Sequence, residues 1–403
     1  MASACVEQVE VLAPSGVAGM DVGAPIDGGP DAGGAPPSAI GAEGLGLGRA
    51  HSLALRGGRV FGWGAGGLGL FTQTARTSTP TRPRGIFPDR TPVDALASGE
   101  DFACILDEEG EVSCWGHNES GQLGVSDVEA SAQPVVVPLP RPAVHLTLGF
   151  DHACALLDDF ELWCWGRNTE GQLGRDDAFG GPSAEPTPEP IAEPGPWAFA
   201  SATDGHGCAI HFDGTLWCWG RNTNGELGRG SSAPMQIRRP VQVGTSAGWR
   251  DVSCGQFHTC GVTEDDRLWC WGRNTSGQLG LGDIAPRDEP ALVGSSYSGV
   301  ATSAFASCAV TLEGAVECWG RNLEGQLGFE GAQQVEVPTT TDVDGVLVLE
   351  LGRFHACVAV EDPQPPTMSN VLCTGEGTLG RLGTGTPVRP FAFVPTASFG
   401  SEP

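Results

Sequence analysis

The feature that most constrains this 403-residue chain is a motif that recurs about every 50 residues. Its clearest copy reads CWGRNTSGQLG at positions 270–280. Close copies surround four further tryptophans, Trp115, Trp165, Trp219 and Trp319. Eroded copies lie at Trp63 and at Thr374, where the tryptophan is missing. The chain therefore consists, from position 41 onward, of seven versions of one structural unit.

Each copy contains about four short apolar stretches bounded by turn residues, and no long stretch has the period of a helix. This pattern predicts an all-β fold, a seven-bladed β-propeller with four-stranded antiparallel blades of about 50 residues. A solenoid is the competing architecture, but closure into a ring removes the edges that such units would expose. We also expect the chain ends to meet. The last strand, around Phe391 to Val394, should pair in the blade that the first copy begins or completes.

The same repeat resembles a known family. The order His-x-Cys, Asp/Glu-Gly, Cys and Trp-Gly-Arg-Asn-Thr-x-Gly-Gln-Leu-Gly is similar to the regulator of chromosome condensation repeat, a family of seven-bladed propellers. Two departures from the family pattern are the many cysteines and the erosion of the first and last copies. All 22 basic residues are arginine, and Ala, Gly and Pro are abundant, a composition that indicates a bacterial genome rich in G and C. We therefore interpret the chain as a bacterial, cysteine-rich variant.

Twelve of the 14 cysteines fall into six pairs, each within one repeat. The pairs are Cys104 with Cys114, Cys154 with Cys164, Cys208 with Cys218, Cys260 with Cys270, Cys308 with Cys318, and Cys357 with Cys373. In the second copy, the three-residue loop 108–110 ends in Gly110, which suits the left-handed position of a hairpin turn. That turn sets Cys104 opposite Cys114, close enough for a disulfide. The first copy lacks both cysteines and has Leu53 and Gly62 instead, as expected if the two are needed together.

We interpret these pairs as disulfides, with buried free thiols and metal binding as alternatives. Metal binding is the weaker alternative because each hairpin carries one widely spaced pair with no second pair nearby. Six disulfides would indicate an oxidising compartment. Cys254 is left over and is expected to be a small buried residue of an inner strand.

Positions 1–40 lack the repeat and are rich in Gly, Ala, Pro and Asp, which predicts a disordered linker before a propeller over 41–403. Near the start, Ser3-Ala4-Cys5 resembles the end of a bacterial lipobox, so Cys5 is a candidate site of lipidation and of a lipid anchor. The basic and apolar stretches that precede such a cysteine are absent, and a chance match stays the alternative. No apolar run reaches the length of a transmembrane helix, and no transmembrane segment is expected.

Little in the sequence indicates catalysis. Five of the eight histidines occupy one repeated position, spread singly over the blades, and are expected to be structural: His51, His152, His206, His258 and His355. The carboxylates fall mostly in turns and connections. We therefore expect no catalytic, cofactor-binding or metal-binding residues, and no cofactor. A net charge of −27 and the absence of lysine argue against nucleic-acid binding and exclude lysine chemistry.

Two further residue types recur at fixed positions. Trp163, Trp217 and Trp269 face small residues in the predicted hairpin register, which indicates packing between blades rather than a ligand cage. An asparagine three residues before the glycine of the Gly-Gln-Leu-Gly turn is expected to set that turn.

The resulting hypothesis is a monomeric, non-catalytic interaction propeller that binds a protein partner of unknown identity through its face loops, without indicating which of the two faces binds. Candidate loops are the long connections 175–196, 229–248, 281–296 and the insertion 361–370 in the last repeat. The expected location is extracytoplasmic: secreted, periplasmic or a cell-surface lipoprotein. The resemblance implies one alternative, guanine-nucleotide exchange on a small GTPase. A carbohydrate-active propeller enzyme is a third possibility for the fold, although no pair of facing carboxylates is apparent.

Overall fold

A computed structural model describes residues 44–65, 77–82, 92–175, 183–231, 233–360, 371–387 and 389–397. These residues form seven separate four-stranded antiparallel sheets, each built from four consecutive strands. The chain is thus a seven-bladed β-propeller, as the repeat predicts. The first strands of all seven blades surround a common axis, and the fourth strands lie at the rim.

Blade 1 comprises β1 (Gly44–Leu47), β2 (His51–Arg56), β3 (Arg59–Gly64) and β4 (Thr77–Thr81). Blade 2 comprises β5 (Val93–Ser98), β6 (Phe102–Asp107), β7 (Val112–His117) and β8 (Ala130–Val136). Blade 3 comprises β9 (Ala143–Leu148), β10 (His152–Leu157), β11 (Leu162–Arg167) and β12 (Ala184–Pro190). Blade 4 comprises β13 (Trp197–Ala202), β14 (His206–His211), β15 (Leu216–Arg221) and β16 (Gln236–Gln242).

Blade 5 comprises β17 (Trp249–Cys254), β18 (His258–Thr263), β19 (Arg267–Gly272) and β20 (Arg287–Ser295). Blade 6 comprises β21 (Tyr297–Thr302), β22 (Ala306–Thr311), β23 (Val316–Arg321) and β24 (Gln334–Thr340). Blade 7 comprises β25 (Val346–Leu351), β26 (His355–Val360), β27 (Val371–Gly375) and β28 (Val394–Pro395).

The central hairpin of each blade has the predicted register. In blade 2, Cys104 lies opposite Cys114, and Gly110 closes the turn with a φ of 82°. Blades 3 and 5 place Phe160 (φ 66°) and Asp266 (φ 61°) at the same left-handed position. Phenylalanine is poorly suited to it, because a side chain there crowds the backbone. The Phe160 ring packs edge-on against Phe212, with centroids 4.9 Å apart, and this contact offsets part of the strain.

Each of the six cysteine pairs is a disulfide in the structure, with Cα atoms 4.0 to 4.1 Å apart. These are the same six pairs that the spacing predicts. In chain order, the bridges join Cys104 to Cys114, Cys154 to Cys164, Cys208 to Cys218, Cys260 to Cys270, Cys308 to Cys318, and Cys357 to Cys373.

The last bridge keeps its place although its hairpin is longer. Cys357 and Cys373 are 16 positions apart instead of 10, and they still lie opposite each other in the register of β26 and β27. The pair Cys308 and Cys318 of blade 6 has the standard spacing of 10 and the same register. Leu53 lies opposite Gly62 in blade 1, the one hairpin without cysteines. Cys254 is a buried free thiol on the first strand of blade 5.

The tryptophan of the Trp-Gly motif joins neighbouring blades. It is completely or almost completely buried wherever it occurs, and in most blades its indole N–H donates to a backbone carbonyl in the turn of the preceding blade. Examples are Trp165 to Gln122, Trp219 to Gln172, Trp271 to Glu226 and Trp319 to Gln278, at 2.8 to 3.0 Å. The turn asparagines hold these carbonyls in place, since the side-chain oxygen of Asn274, for example, accepts from Leu279 N at 3.0 Å. The expectation for the asparagines is therefore confirmed.

The expectation that the chain ends share a blade is wrong. Strand β28 pairs with β27, and blade 1 takes all four of its strands from the first repeat. The first repeat, although its motif is eroded, still supplies four strands, so it needs none from the other end of the chain. The ring closes between blades 7 and 1 by side chains instead. Trp63 Nε1 and Ser52 Oγ both donate to Arg381 O, at 2.8 and 2.7 Å.

Several expectations lie outside the described residues. They concern the linker 1–40, Cys5 as a lipidation site, and the insertion 361–370. Within the described part of the chain, no helix is long and apolar enough to cross a membrane.

Candidate functional site

One end of the propeller is formed by seven short loops, each joining the first strand of a blade to its second. We call this end the loop face. Its residues are 48–50, 99–101, 149–151, 203–205, 255–257, 303–305 and 352–354. Neighbouring loops are tied by backbone hydrogen bonds of 3.1 Å, from Arg49 N to Glu100 O, from Glu100 N to Phe150 O and from Gln256 N to Ser303 O. The loops therefore form a preorganised ring around the mouth of an axial cavity of about 170 Å³.

Blades 2 to 4 contribute an acidic half to the loop face, consisting of Glu100, Asp101, Asp151 and Asp204. Glu100 lies 3.7 Å from Arg49 of blade 1 and 3.7 Å from Arg353 of blade 7. Partial burial raises the pKa of Glu100 above its ordinary value, while the Arg49 guanidinium opposes that shift. Partial burial likewise raises the pKa of Asp151. Both carboxylates are held close together because arginines at the edge of the cluster offset their repulsion.

Asp204 is the most connected carboxylate of this half. It lies 3.0 Å from Arg221 and 3.3 Å from Arg167, and it accepts a hydrogen bond of 3.2 Å from Gln256 Nε2. Its side chain is only 12% exposed, so these bonds compensate the loss of water. Asp204 thus fixes the boundary between blades 4 and 5 on the loop face.

Blades 5 to 7 contribute an aromatic and basic half, in which Phe257, Phe305 and Phe354 alternate with arginines. Arg273 lies over two rings, 5.1 Å from the centroid of Phe257 and 5.8 Å from that of Phe305. Arg221 and Arg321 cover the outer sides of the same pair, at 5.2 and 5.4 Å. Arg353 and Arg381 both approach Phe354, at 5.4 and 5.8 Å. Such cation–π contacts hold guanidinium groups in fixed orientations at a protein surface.

The sequence places three of these arginines, Arg221, Arg273 and Arg321, through its strand order. The third strand of each blade runs toward the loop face, so the arginine of Trp-Gly-Arg at its end reaches that face. The residue before the repeated histidine position is the last residue of each loop on the loop face. That residue is Asp101 and Asp151 in the acidic half and Phe257, Phe305 and Phe354 in the other. This change along the repeat is a sequence signal that could have identified the two halves, and the predictions from the sequence missed it.

The histidines and cysteines that recur in the sequence lie away from the loop face. The repeated histidines are buried between blades, where burial lowers the pKa of His51 and of His258 to about 3 and that of His152 to about 4. His258 Nε2 bonds Ser307 Oγ of the next blade at 2.8 Å, and His206 and His355 make equivalent contacts with Thr259 and Ser52. The disulfides lie inside the blades, away from either face.

One cluster among the described residues has the composition of a metal site. His206, Cys208 and Cys254 present ligand atoms within 4.8 Å of one another. The sulfur of Cys208 is already bonded to Cys218, and burial raises the pKa of the Cys254 thiol to about 12. With one sulfur bridged and the other protonated, the cluster offers His206 alone as a ready ligand.

Family models for the regulator of chromosome condensation (RCC1) repeat match the chain. One matches residues 93–122, 143–172 and 249–278, and a second matches 109–156, 161–210, 213–262 and 265–311. Together they cover 93–210 and 213–311, more than half of the chain.

Curated proteins with similar sequences are much longer or only partly alike. The probable E3 ubiquitin-protein ligase HERC6 of Homo sapiens is 31% identical over 256 residues, which are 61% of this chain and 20% of that protein. The mitochondrial RCC1 domain-containing protein RUG3 of Arabidopsis thaliana is 28% identical over 257 residues, which are 62% of this chain and 46% of that protein. The chain thus spans less than half of the length of these relatives.

Solved structures share the fold. Yeast RCC1 (Prp20) superposes with a TM-score of 0.73 at 20% identity, over 89% of this chain and 85% of that chain. Human WBSCR16 superposes with a TM-score of 0.70 at 19% identity, over 79% of this chain and 87% of that chain. At these identities the similarity establishes the architecture of the ring and nothing about the chemistry of its faces.

Proposed function

The chain belongs to the regulator of chromosome condensation repeat family, and from this premise we propose that it is a non-catalytic propeller that binds a protein partner through its loop face. The division of that face into an acidic half and an arginine–phenylalanine half carries the proposal. Arginine and aromatic side chains are enriched where protein interfaces bury most energy. Separated charges of opposite sign fix the orientation in which a partner docks. A face tied by backbone bonds loses little freedom on binding.

Solved structures with this architecture include proteins that bind other proteins. One structure of Prp20p from Saccharomyces cerevisiae was described with its binding properties to Gsp1p and histones, and yeast RCC1 was solved bound to Kap60. Those partners belong to those proteins. For this chain they support only the general use of the ring as a docking platform.

An extracytoplasmic location is part of the proposal, with Cys5 as the candidate lipid anchor. The six disulfides support it, because such bonds persist in oxidising compartments. Thiol titration of the unfolded, unreduced protein isolated from its native cells tests it. Two thiols, from Cys5 and Cys254, are expected where Cys5 is unmodified, whereas 14 thiols would contradict both the bridges and the location.

The binding surface is tested by charge reversal. Biotinylated protein is used to capture partners from the cell envelope and medium, and cross-linking maps the contact. Arg273→Glu and Arg353→Glu on the loop face are each expected to weaken capture by about tenfold. The matched control is Arg141→Glu, an arginine that is 51% exposed and pairs with Asp158 at the opposite end of the ring.

Equal capture by all three variants would refute the loop face as the binding surface. A captured small GTPase whose nucleotide release is accelerated would favour guanine-nucleotide exchange instead. The protein alone is expected to sediment as a monomer. A dimer that is lost in Arg353→Glu would mean that the loop face binds a second copy of the chain rather than a different protein.

A further inference from the structure

A second cavity, of about 790 Å³, opens at the end of the ring opposite the loop face. It lies beside blade 5, between the connection 243–248 and the hairpin turn 263–267, and we call it the blade 5 pocket. Its volume is in the range of small-molecule sites in proteins. It is independent of the loop face, so its function is separate from the one proposed above.

The apolar wall of the blade 5 pocket consists of two tryptophans. Trp249 begins β17 and is 6% exposed, while Trp269 lies in β19 and is half-buried. The Trp249 indole lies over Gly261, where a Cβ atom would come within 2.8 Å of it. The absence of a side chain at Gly261 therefore leaves the space that the Trp249 ring occupies in this wall. Neither indole N–H has a hydrogen-bond partner within the described residues, although both nitrogens are buried.

In the two neighbouring blades, the side chain at the Trp269 position makes a hydrogen bond within its own blade. In blade 6 the counterparts of Trp249 and Trp269 are Tyr297 and Glu317, and the Tyr297 hydroxyl donates to Glu317 at 2.7 Å. In blade 4 the counterpart of Trp269 is Trp217, which donates to Thr215 Oγ1 at 2.9 Å. Trp197, the blade 4 counterpart of Trp249, also lacks a partner for its indole N–H among the described residues, so the feature that distinguishes blade 5 is the unpaired N–H of Trp269.

The connection above these tryptophans leaves the pocket open. Residues 244–248 read Gly-Thr-Ser-Ala-Gly, and a Cβ atom at Gly244 would meet nothing within 4 Å. The corresponding connection into blade 4, residues 192–196, contains two prolines, Pro194 and Pro196. Small residues thus keep this mouth accessible in blade 5.

The rim of the blade 5 pocket carries both kinds of charge. Glu264, Asp265 and Glu289 supply carboxylates, and Arg229 and Arg267 supply guanidinium groups. Arg267 Nε lies 3.2 Å from Asp265 Oδ2. Three carboxylates and two guanidinium groups leave the rim with a small net charge and with hydrogen-bond acceptors and donors side by side, which suits a neutral polar ligand. Carboxylate acceptors and arginine donors around flat indole rings suit a ring that has C–H groups on its face and hydroxyl groups on its edge.

We propose that the blade 5 pocket binds a ring of a neutral saccharide. The indole of Trp269, the more exposed of the two tryptophans, contacts the C–H face of the sugar, and the rim carboxylates and guanidinium groups bond its hydroxyls. The site supplies recognition and includes no bond-breaking step.

The test uses an array of neutral oligosaccharides, followed by calorimetric titration of the sugars retained, with glucose 6-phosphate and choline as charged comparators. Trp269→Ala is expected to weaken binding of the retained sugar by at least about tenfold, or about 1.4 kcal/mol. The matched control Trp217→Ala, the same change in blade 4, should leave the affinity unchanged. Because Trp269→Ala also removes packing, Glu289→Ala provides an exposed second variant, expected to weaken binding by about three- to tenfold at an unchanged melting temperature.

Absence of binding to every neutral sugar on the array would overturn the proposal. So would equal losses in Trp269→Ala and Trp217→Ala, or tighter binding of either charged comparator. Retained binding in the loop-face variant Arg353→Glu would show that the pocket acts separately from the protein-binding face, while loss in that variant would contradict the assignment to blade 5.

Discussion

The junction between blades 5 and 6 and the junction between blades 3 and 4 solve the same packing problem with different sets of bonds. In both, a buried tryptophan donates to a turn carbonyl of the preceding blade, Trp319 to Gln278 O at 2.9 Å and Trp219 to Gln172 O at 2.8 Å. At the 5/6 junction Ser307 Oγ also donates to Gln278 O at 2.9 Å. Because its proton is used there, it accepts from His258 Nε2 at 2.8 Å.

The 3/4 junction lacks this second bond. Gly207 stands at the serine position, and a Cβ atom there would come within 2.9 Å of the Trp219 ring. Neither ring nitrogen of His152 has a partner among the described residues. The tryptophan link is therefore the shared element of the fold, and the histidine–hydroxyl link is an addition that requires room beside the tryptophan.

Removing the tryptophan link should lower the free energy of unfolding more than any other change. Trp319→Ala and Trp219→Ala are each expected to lower the free energy of unfolding by about 3–5 kcal/mol, through lost burial and a cavity. Urea unfolding under non-reducing conditions measures both. If the 5/6 junction loses much less than the 3/4 junction, the serine link substitutes for the tryptophan and the comparison is wrong.

The disulfides lie in both hairpins and should not distinguish the junctions. Replacing Cys154 and Cys164 by alanine is expected to cost about 2–3 kcal/mol, and so is replacing Cys260 and Cys270, because each bridge closes a short loop in the unfolded chain. The same unfolding measurement applies. A large difference between the two double variants would assign the disulfides a role in joining blades as well as in closing hairpins.

The pH dependence of stability should reveal the contribution of the unpaired His152. The pKa of His152 is about 4 in the folded protein and about 6.5 when unfolded, so the unfolded chain binds more protons between these values. Stability from this residue is present above pH 6.5 and is lost as pH falls toward 4. His152→Phe, which copies Phe102 of blade 2, should remove about 2 kcal/mol of the loss between pH 7 and 5.

Comparing wild type with this variant at each pH cancels the contribution of other groups. Asp251 and Glu350 act in the opposite direction, because burial raises their pKa values to about 7 and about 8. Their stability is present at low pH and is lost as pH rises. Parallel pH profiles for wild type and His152→Phe would show that His152 takes up its proton at the same pH in the folded and the unfolded protein, and would contradict a lowered pKa.

Ser307→Ala converts the 5/6 junction toward the 3/4 arrangement. It should cost about 1–2 kcal/mol, since a buried hydrogen bond is lost and His258 is left unpaired. The double variant with His258→Phe should recover part of that loss. Full additivity of the two substitutions in unfolding experiments would contradict a direct bond between them.

The smallest expected effect is a gain at the 1/2 junction, where Ala103 occupies the position of Ser307 and His51 lacks a partner within the described residues. Ala103→Ser should raise the free energy of unfolding by about 0.5–1 kcal/mol by supplying one. The gain should vanish when His51→Phe is also present. Gly207→Ser should bring a loss instead, because Trp219 occupies the space its side chain needs.

The sequence alone determined the number of blades, the hairpin registers and the disulfide pairs. All of these depend on the spacing between residues that are close together in the sequence. Strand residues alternate with a period of two, and a turn of known length then fixes which residues face each other, as for Cys104 and Cys114.

Only the tertiary structure decided the contacts between blades. The carbonyl that Trp319 bonds lies 41 positions earlier, and Arg273 lies between phenylalanines of two blades. The closure of blade 7 onto blade 1 joins residues more than 300 positions apart. Such contacts depend on the angle and distance at which complete sheets pack around the axis. No local spacing specifies that geometry, so the junction bonds, the two halves of the loop face and the blade 5 pocket appear only when the ring is assembled.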